Sequence, residues 1–202
     1  MIQDSYQTII SFLRNEIKIL NSRFIASAYP VSAKEETDKI LQKVRKEFYD
    51  ANHNCFAYRI GMTGKVFRYS DDGEPSGTAG VKIFSAIRSK NLSDVLVIVT
   101  RYFGGTKLGV GGLSRAYHDS ALSVLKKVKV AEKITMSAVR IKFPYDFTSQ
   151  VMYLISKYNV SIVGKNYQED VEMEIEVRLS LVSDFGAELF NTCSGNVQIK
   201  KT

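Results

Sequence analysis

Asp71, Asp72 and Glu74 put three carboxylates into one short turn, Asp71-Asp72-Gly73-Glu74-Pro75-Ser76-Gly77-Thr78-Ala79-Gly80. Carboxylates this close could hold Mg²⁺ or share acid and base roles. They could equally neutralise a nearby Arg101 or cap the helix after Pro75. A metal site gathers more oxygen ligands than a single turn offers, and the turn matches no calcium loop. No metal is therefore expected here.

A second stretch, Thr100 to Arg115, runs from a strand through a glycine-rich loop into a helix. Gly104, Gly105, Gly109, Gly111 and Gly112 lie in it. Ten of the chain's 13 glycines fall between Gly61 and Gly112, so the need for tight turns or close approach is local. A strand–loop–helix junction presents free backbone N–H groups at the positive end of the helix, an anion site in principle. Arg101, Lys107 and Arg115 would add side-chain donors. The P-loop pattern fails, because Lys107 is followed by Leu108. The dinucleotide pattern fails at Ser114, where a last glycine belongs. Anion contact without a nucleotide cofactor is the expectation, against the plainer reading of a tight turn.

Other reactive groups are sparse. His53 and Cys55 fall on one face of a strand, but no third group orients them. His118 and Asp119 are helix neighbours that diverge. Zinc spacing and a serine elbow are both missing, so neither catalytic residues nor a cofactor are assigned. Aromatic residues crowd the N-terminal half. Tyr58 and Tyr69, close to Arg59 and Arg68, could stack the bases of single-stranded nucleic acid, whereas Phe56 and Phe67 read as core.

The bulk numbers narrow the classes. A 45% hydrophobic and 24% charged chain is an ordinary soluble composition, which excludes general disorder. No apolar run approaches the roughly 20 residues of a membrane span. Asp4 comes early and no basic start precedes an apolar core, so no secretory leader and no membrane partner are expected. Cys55 and Cys193 read as two reduced thiols of a cytoplasmic protein. The net charge of +7 is uneven. Residues 1–130 hold 20 Lys/Arg and 12 Asp/Glu, and residues 131–202 hold 8 and 9. A basic first part suits a polyanionic partner.

The elements that must position these residues follow from pattern. After a short strand or irregular lead-in come alternating runs over Glu16–Leu20 and Arg23–Tyr29, a hairpin turning at Asn21-Ser22. Ser32 with Glu35 has the capping-box spacing for a helix reaching about Tyr49. Cys55–Ile60 and Lys65–Tyr69 form a second hairpin across four residues. Ser76 or Thr78 caps a helix over about Ala79–Ser89. Val95–Tyr102 reads as a strand covered on both sides, and a helix spans about Gly112–Lys127. Beyond that lie strand Lys133–Phe143, helix Phe147–Tyr158, strands Val160–Tyr167 and Val171–Leu181, helix Asp184–Thr192 and strand Asn196–Lys200. The class is α+β with two domains, 1–130 and 131–202, the second a ferredoxin-like βαββαβ sandwich.

The two long motifs, with Ser22-Arg23-Phe24-Ile25-Ala26 and Cys55-Phe56-Ala57-Tyr58-Arg59, resemble the signature of the IMPACT family in its YigZ-like bacterial, two-domain form. The likeness spans about residues 16–127. It implies a ribosomal protein S5 domain 2-like first domain, shared with one domain of translation factor G, whose C-terminal domains the second domain resembles. Asp71, Asp72, Gly73, Glu74, Pro75, Gly77, Thr78 and Gly80 carry the signature turn. Members usually have proline two residues after its last glycine, and here Lys82 stands there. Eukaryotic relatives regulate translation through a further N-terminal partner-binding domain with no counterpart here, and the family has no established catalytic residues to transfer.

The reading that joins these features is a non-enzymatic protein associated with RNA or the ribosome, acting in translation or its stress regulation. Arg101, Lys107 and Arg115 would meet phosphate, and Arg59, Arg68, Tyr58 and Tyr69 would extend the surface. The alternatives are a hydrolase-type enzyme on a phosphorylated or peptide-like substrate using Asp71, Asp72 or Glu74, and a module that docks a protein of the translation machinery.

Overall fold

The computed structural model describes residues 4–201, which form two compact units: residues 6–133, and residues 134–201 with Asp4 and Ser5. Together they hold mixed α/β structure with three antiparallel or two-stranded sheets and five α-helices among the described residues.

The larger unit is built on a five-stranded sheet, β2(Leu13–Ile19), β3(Ser22–Pro30), β6(Val95–Tyr102), β4(His53–Ile60) and β5(Val66–Ser70) in that spatial order, with every pair antiparallel. A separate strand, β1(Ser5–Ile9), pairs with β7(Val130–Ile134). Central β6 alternates between two cores. Val95, Val97 and Val99 meet α2(Gly80–Ser89) and α3(Gly109–Leu125), while Leu96 and Ile98 meet α1(Lys34–Glu47) on the opposite face. All five are fully buried, which is why this run carries no polar residue.

Local chemistry moves several boundaries. The first hairpin turns at Leu20-Asn21, both at positive φ (44° and 65°), one residue earlier than the Asn21-Ser22 reading, because Ile19 pairs with Ser22. Leu13 to Asn15 belong to β2 rather than to the lead-in. Ser32 pairs with Glu36 rather than Glu35: its N–H donates to Glu36 Oε2 at 2.6 Å. The β4–β5 connection takes five residues, since Ile60 pairs with Val66. Helix α3 starts three residues before Gly112.

The smaller unit orders its strands β11(Gln198–Lys201), β8(Met136–Phe143), β10(Val171–Arg178), β9(Ser161–Tyr167), all antiparallel. Helices α4(Thr148–Lys157) and α5(Val182–Thr192) cover one face, where Val151, Leu154, Phe185 and Leu189 meet Ile141, Met173 and Ile175. The run read as one strand from Lys133 to Phe143 is broken at Thr135, whose N–H donates to the Asp4 carbonyl at 2.7 Å. Asp4 also belongs to this unit through its carboxylate, which accepts Arg178 Nε (2.7 Å), Nη2 (2.9 Å) and the Ser180 N–H (3.1 Å). Those donors hold the Asp4 carboxyl far below the usual carboxylate range.

Candidate functional site

Antiparallel register sets three residues of the larger unit side by side. Arg101 at the end of β6 lies opposite Phe24 of β3 and His53 of β4. The Arg101 guanidinium sits between the rings of Phe24 (5.5 Å) and Phe103 (5.4 Å). Its Nη1 donates to Glu74 Oε1 at 2.6 Å. With side-chain exposures of 7% and 3%, this is a buried ion pair whose charges compensate each other. Tyr117 of α3 donates its hydroxyl to the same oxygen at 2.7 Å. Burial, with Cys55 and the Glu74 carboxylate nearby, pushes the Tyr117 pKa well up, so the phenol stays a donor. Glu74 Oε2 has no hydrogen-bond partner among the described residues.

His53 completes the group. Its Nδ1 lies 2.8 Å from the Asp72 carbonyl and must donate to it, which leaves Nε2, 3.8 Å from Glu74 Oε1, as the free ring nitrogen. Cys55 donates its thiol to the Asp71 carbonyl, and burial pushes its pKa far up. The thiol is thus a structural donor and not a nucleophile.

The acidic turn is a scaffold. Asp71 Oδ1 accepts the N–H groups of Ala79 and Gly80, and Oδ2 accepts that of Gly77, at 2.8–2.9 Å. It does the capping expected of Ser76 or Thr78. The Thr78 hydroxyl instead donates to the Pro75 carbonyl. Asp72 accepts the Asn54 N–H and an Arg45 Nη2. Gly73 and Gly77 take positive φ, and a Cβ on Gly80 would lie 2.6 Å from the Ser70 backbone. Asp71 and Asp72 are thereby spent on the backbone and on Arg45. Of the three carboxylates only Glu74 lines the cleft described next. Among the described residues no three His, Cys, Asp or Glu side chains are placed to hold a metal ion.

The glycine loop is fixed by β2–β3 and by Asn52. Phe103 N–H donates to Asn52 Oδ1 and Gly104 N–H to Ser22 Oγ, and a Cβ on Gly104 would collide with the Asn21 backbone. Between this loop, the acidic turn and the start of α3 lies a cleft of about 430 Å³. His53, Glu74 and Arg101 supply its polar lining, Phe103, Leu108 and Leu113 its apolar lining, and Lys107 is exposed beside them. Helix α3 starts here with no side-chain cap and no acidic residue in its first turn. Arg101 Nε is buried without a partner.

The four outlying candidates do not extend this cleft. Tyr58 is 3% exposed and buried under α1, so it offers no stacking face. Arg68 lies over the Phe56 ring, on the same side of the sheet. Tyr69 packs on Phe84 of α2, on the other side. Arg59 donates to the Leu92 carbonyl and covers Gly64. Arg59 pairs with Val95 whereas His53 pairs with Arg101, a separation of about 20 Å along the sheet. Arg115 is exposed, one and a half turns into α3. Two participants escaped sequence reasoning: Tyr117 sits on the buried stripe of α3 and reads as core, and Asn52 reads as a chain break. His53 reads only as a strand-face neighbour of Cys55, whereas the structure sets it beside Glu74. The only signal for this is the register that sets His53 beside Arg101.

Comparison with known proteins gives the family. Residues 20–125 match the Impact N-terminal domain and residues 141–196 a domain of unknown function, DUF1949. The IMPACT family member YvyE of Bacillus subtilis is 35% identical over 98% of this chain and 91% of its own length. YigZ of Escherichia coli is 28% identical over 90% of each chain. A solved structure titled only as that of a hypothetical protein superposes with a TM-score of 0.73 at 26% identity, over 98% of this chain and 97% of its own. No α-helix among the described residues is long and apolar enough to cross a membrane. The acidic turn, the glycine loop and the cleft between them all fall within the stretch that matches the Impact N-terminal domain, and the chain belongs to the IMPACT family.

Proposed function

We propose that this protein binds RNA, in the cytoplasm and in connection with translation, through the start of α3 and the residues around it. The observation that carries the reading is the uncapped α3 N-terminus beside Lys107, with Arg101 Nε unpartnered in the adjoining wall. Free N–H groups at a helix start attract anions, and Lys107 and Arg115 add charge without a salt-bridge partner of their own among the described residues. Arg101 acts from inside, holding Glu74, so the phosphate contacts fall to Lys107 and Arg115. In the same reading the larger unit is an S5 domain 2-like fold and the smaller a ferredoxin-like one. The strand order β11-β8-β10-β9 supports the latter.

The test is binding of labelled single-stranded RNA across a salt series. Lys107→Ala with Arg115→Ala should weaken binding several-fold and flatten the salt dependence by about two units of slope. Unchanged affinity and slope in that double variant would end the proposal. The convergence of His53 and Glu74 on one cleft favours a second reading, acid–base catalysis on a small substrate. Turnover of a phosphorylated or peptide substrate that is lost in His53→Ala would establish it.

A further inference from the structure

Resting on the RNA-binding reading, we infer that the cleft between β6 and α3 takes one unpaired nucleobase carrying an exocyclic amino group, as in adenine and cytosine. Three features converge on this. The first is a stack: Arg101 lies between Phe24 and Phe103, and Phe103 is 44% exposed and lines the cleft. Its uncovered face is where a planar ring continues the pile. The second is the polar lining. Glu74 Oε2 and His53 Nε2 are two acceptors without donors among the described residues, set into one cleft. An amino group brings two hydrogens and serves both, whereas the ring N–H of uracil brings one. Occupying the cleft with such a group would satisfy both acceptors.

The third feature is room. About 430 Å³ is within the range of small-ligand sites and suits a single base with its sugar. The α3 start then lies where the attached phosphate arrives. Gly111, between the lining residues Val110 and Leu113, is exposed and helical, and a Cβ there would meet nothing within 4 Å, so an incoming backbone has room to approach. The same chemistry is offered by a free nucleoside monophosphate and by a base splayed from an RNA chain.

The experiment compares oligo(C) with oligo(U) RNA by fluorescence anisotropy at fixed salt, and CMP with UMP by calorimetry. Cytosine and uracil differ only along the edge in question. Oligo(C) should bind about tenfold more tightly than oligo(U). Glu74→Gln should remove that preference. Phe103→Ala, at a half-exposed position, should bring oligo(C) affinity close to that of oligo(U). Equal binding of the two RNAs by the native protein overturns the inference, even where Lys107→Ala still weakens both and so leaves the RNA-binding reading standing. A preference that survives Phe103→Ala also overturns it. A CMP preference with no binding of either RNA upholds the base site and ends the RNA reading. Failure to bind any of the four ends both.

Discussion

Helices α2 and α3 lie on the same face of the same sheet, and each follows a glycine-bearing turn, yet their N-termini are treated in opposite ways. The start of α2 is closed: Asp71 accepts three backbone N–H groups with its two carboxylate oxygens. The start of α3 has no cap and no acidic residue, and Lys107 stands beside it. A carboxylate at a helix start satisfies orphan donors and offsets the positive end of the dipole. Leaving a second helix without one forgoes that stabilisation and keeps its donors free for something that arrives from outside. Closed chemistry thus marks the brace, and open chemistry marks the face that meets a ligand.

The largest effect should come from the link between the two sides. Arg101→Ala leaves Glu74 buried and uncompensated, and should cost about 3–5 kcal/mol in urea denaturation. A loss below about 1 kcal/mol would mean that the pair is not the joint it looks like. Asp71→Ala, which strips the cap from α2, should cost about 2 kcal/mol, and placing Ser at Asp71 should restore only part of it. Lys107→Ala on the open side should leave stability within about 0.5 kcal/mol while lowering the RNA salt slope by about one unit. A stability loss as large as that of Asp71→Ala would erase the contrast. Opposite in sign is Gly111→Ala. With open space at its Cβ it should stabilise α3 by about 0.5–1 kcal/mol and weaken RNA binding, whereas a stabilised variant with unchanged affinity would show that nothing approaches that turn.

Much of the scaffold was legible because it rests on local patterns. The β-branched run Val95–Val99 signals a strand buried on both faces, and its residues divide between two cores as that implies. The alternation of Val171, Met173, Ile175 and Val177 against Glu172, Glu174 and Glu176 signals a sheet covered on one side. The site was harder to read, since its members meet through register and not through sequence spacing. Arg101 is 27 residues from its partner Glu74, and Tyr117 is 43 from the same carboxylate. Tyr58 shows the opposite failure: a tyrosine beside an arginine suggests a stacking surface, but strand alternation turns its ring beneath α1. The cap on α2 was misassigned because Asp71 reaches forward over eight and nine residues, far beyond the usual spacing of a helix cap.

The Asp4 carboxylate has a consequence for the order of assembly. Residues 134–201 need Asp4 to receive Arg178 and the Ser180 N–H, so the smaller unit draws on both ends of the chain and residues 6–133 are, in chain order, an insertion within it. During synthesis the inserted unit has all its strands before Arg178 has been made, while Asp4 waits for a partner 174 residues away. The later-folding unit is thereby closed by the earliest described residue of the chain. A fragment beginning at residue 134 would carry every helix of that unit but lack the carboxylate that fastens its third strand.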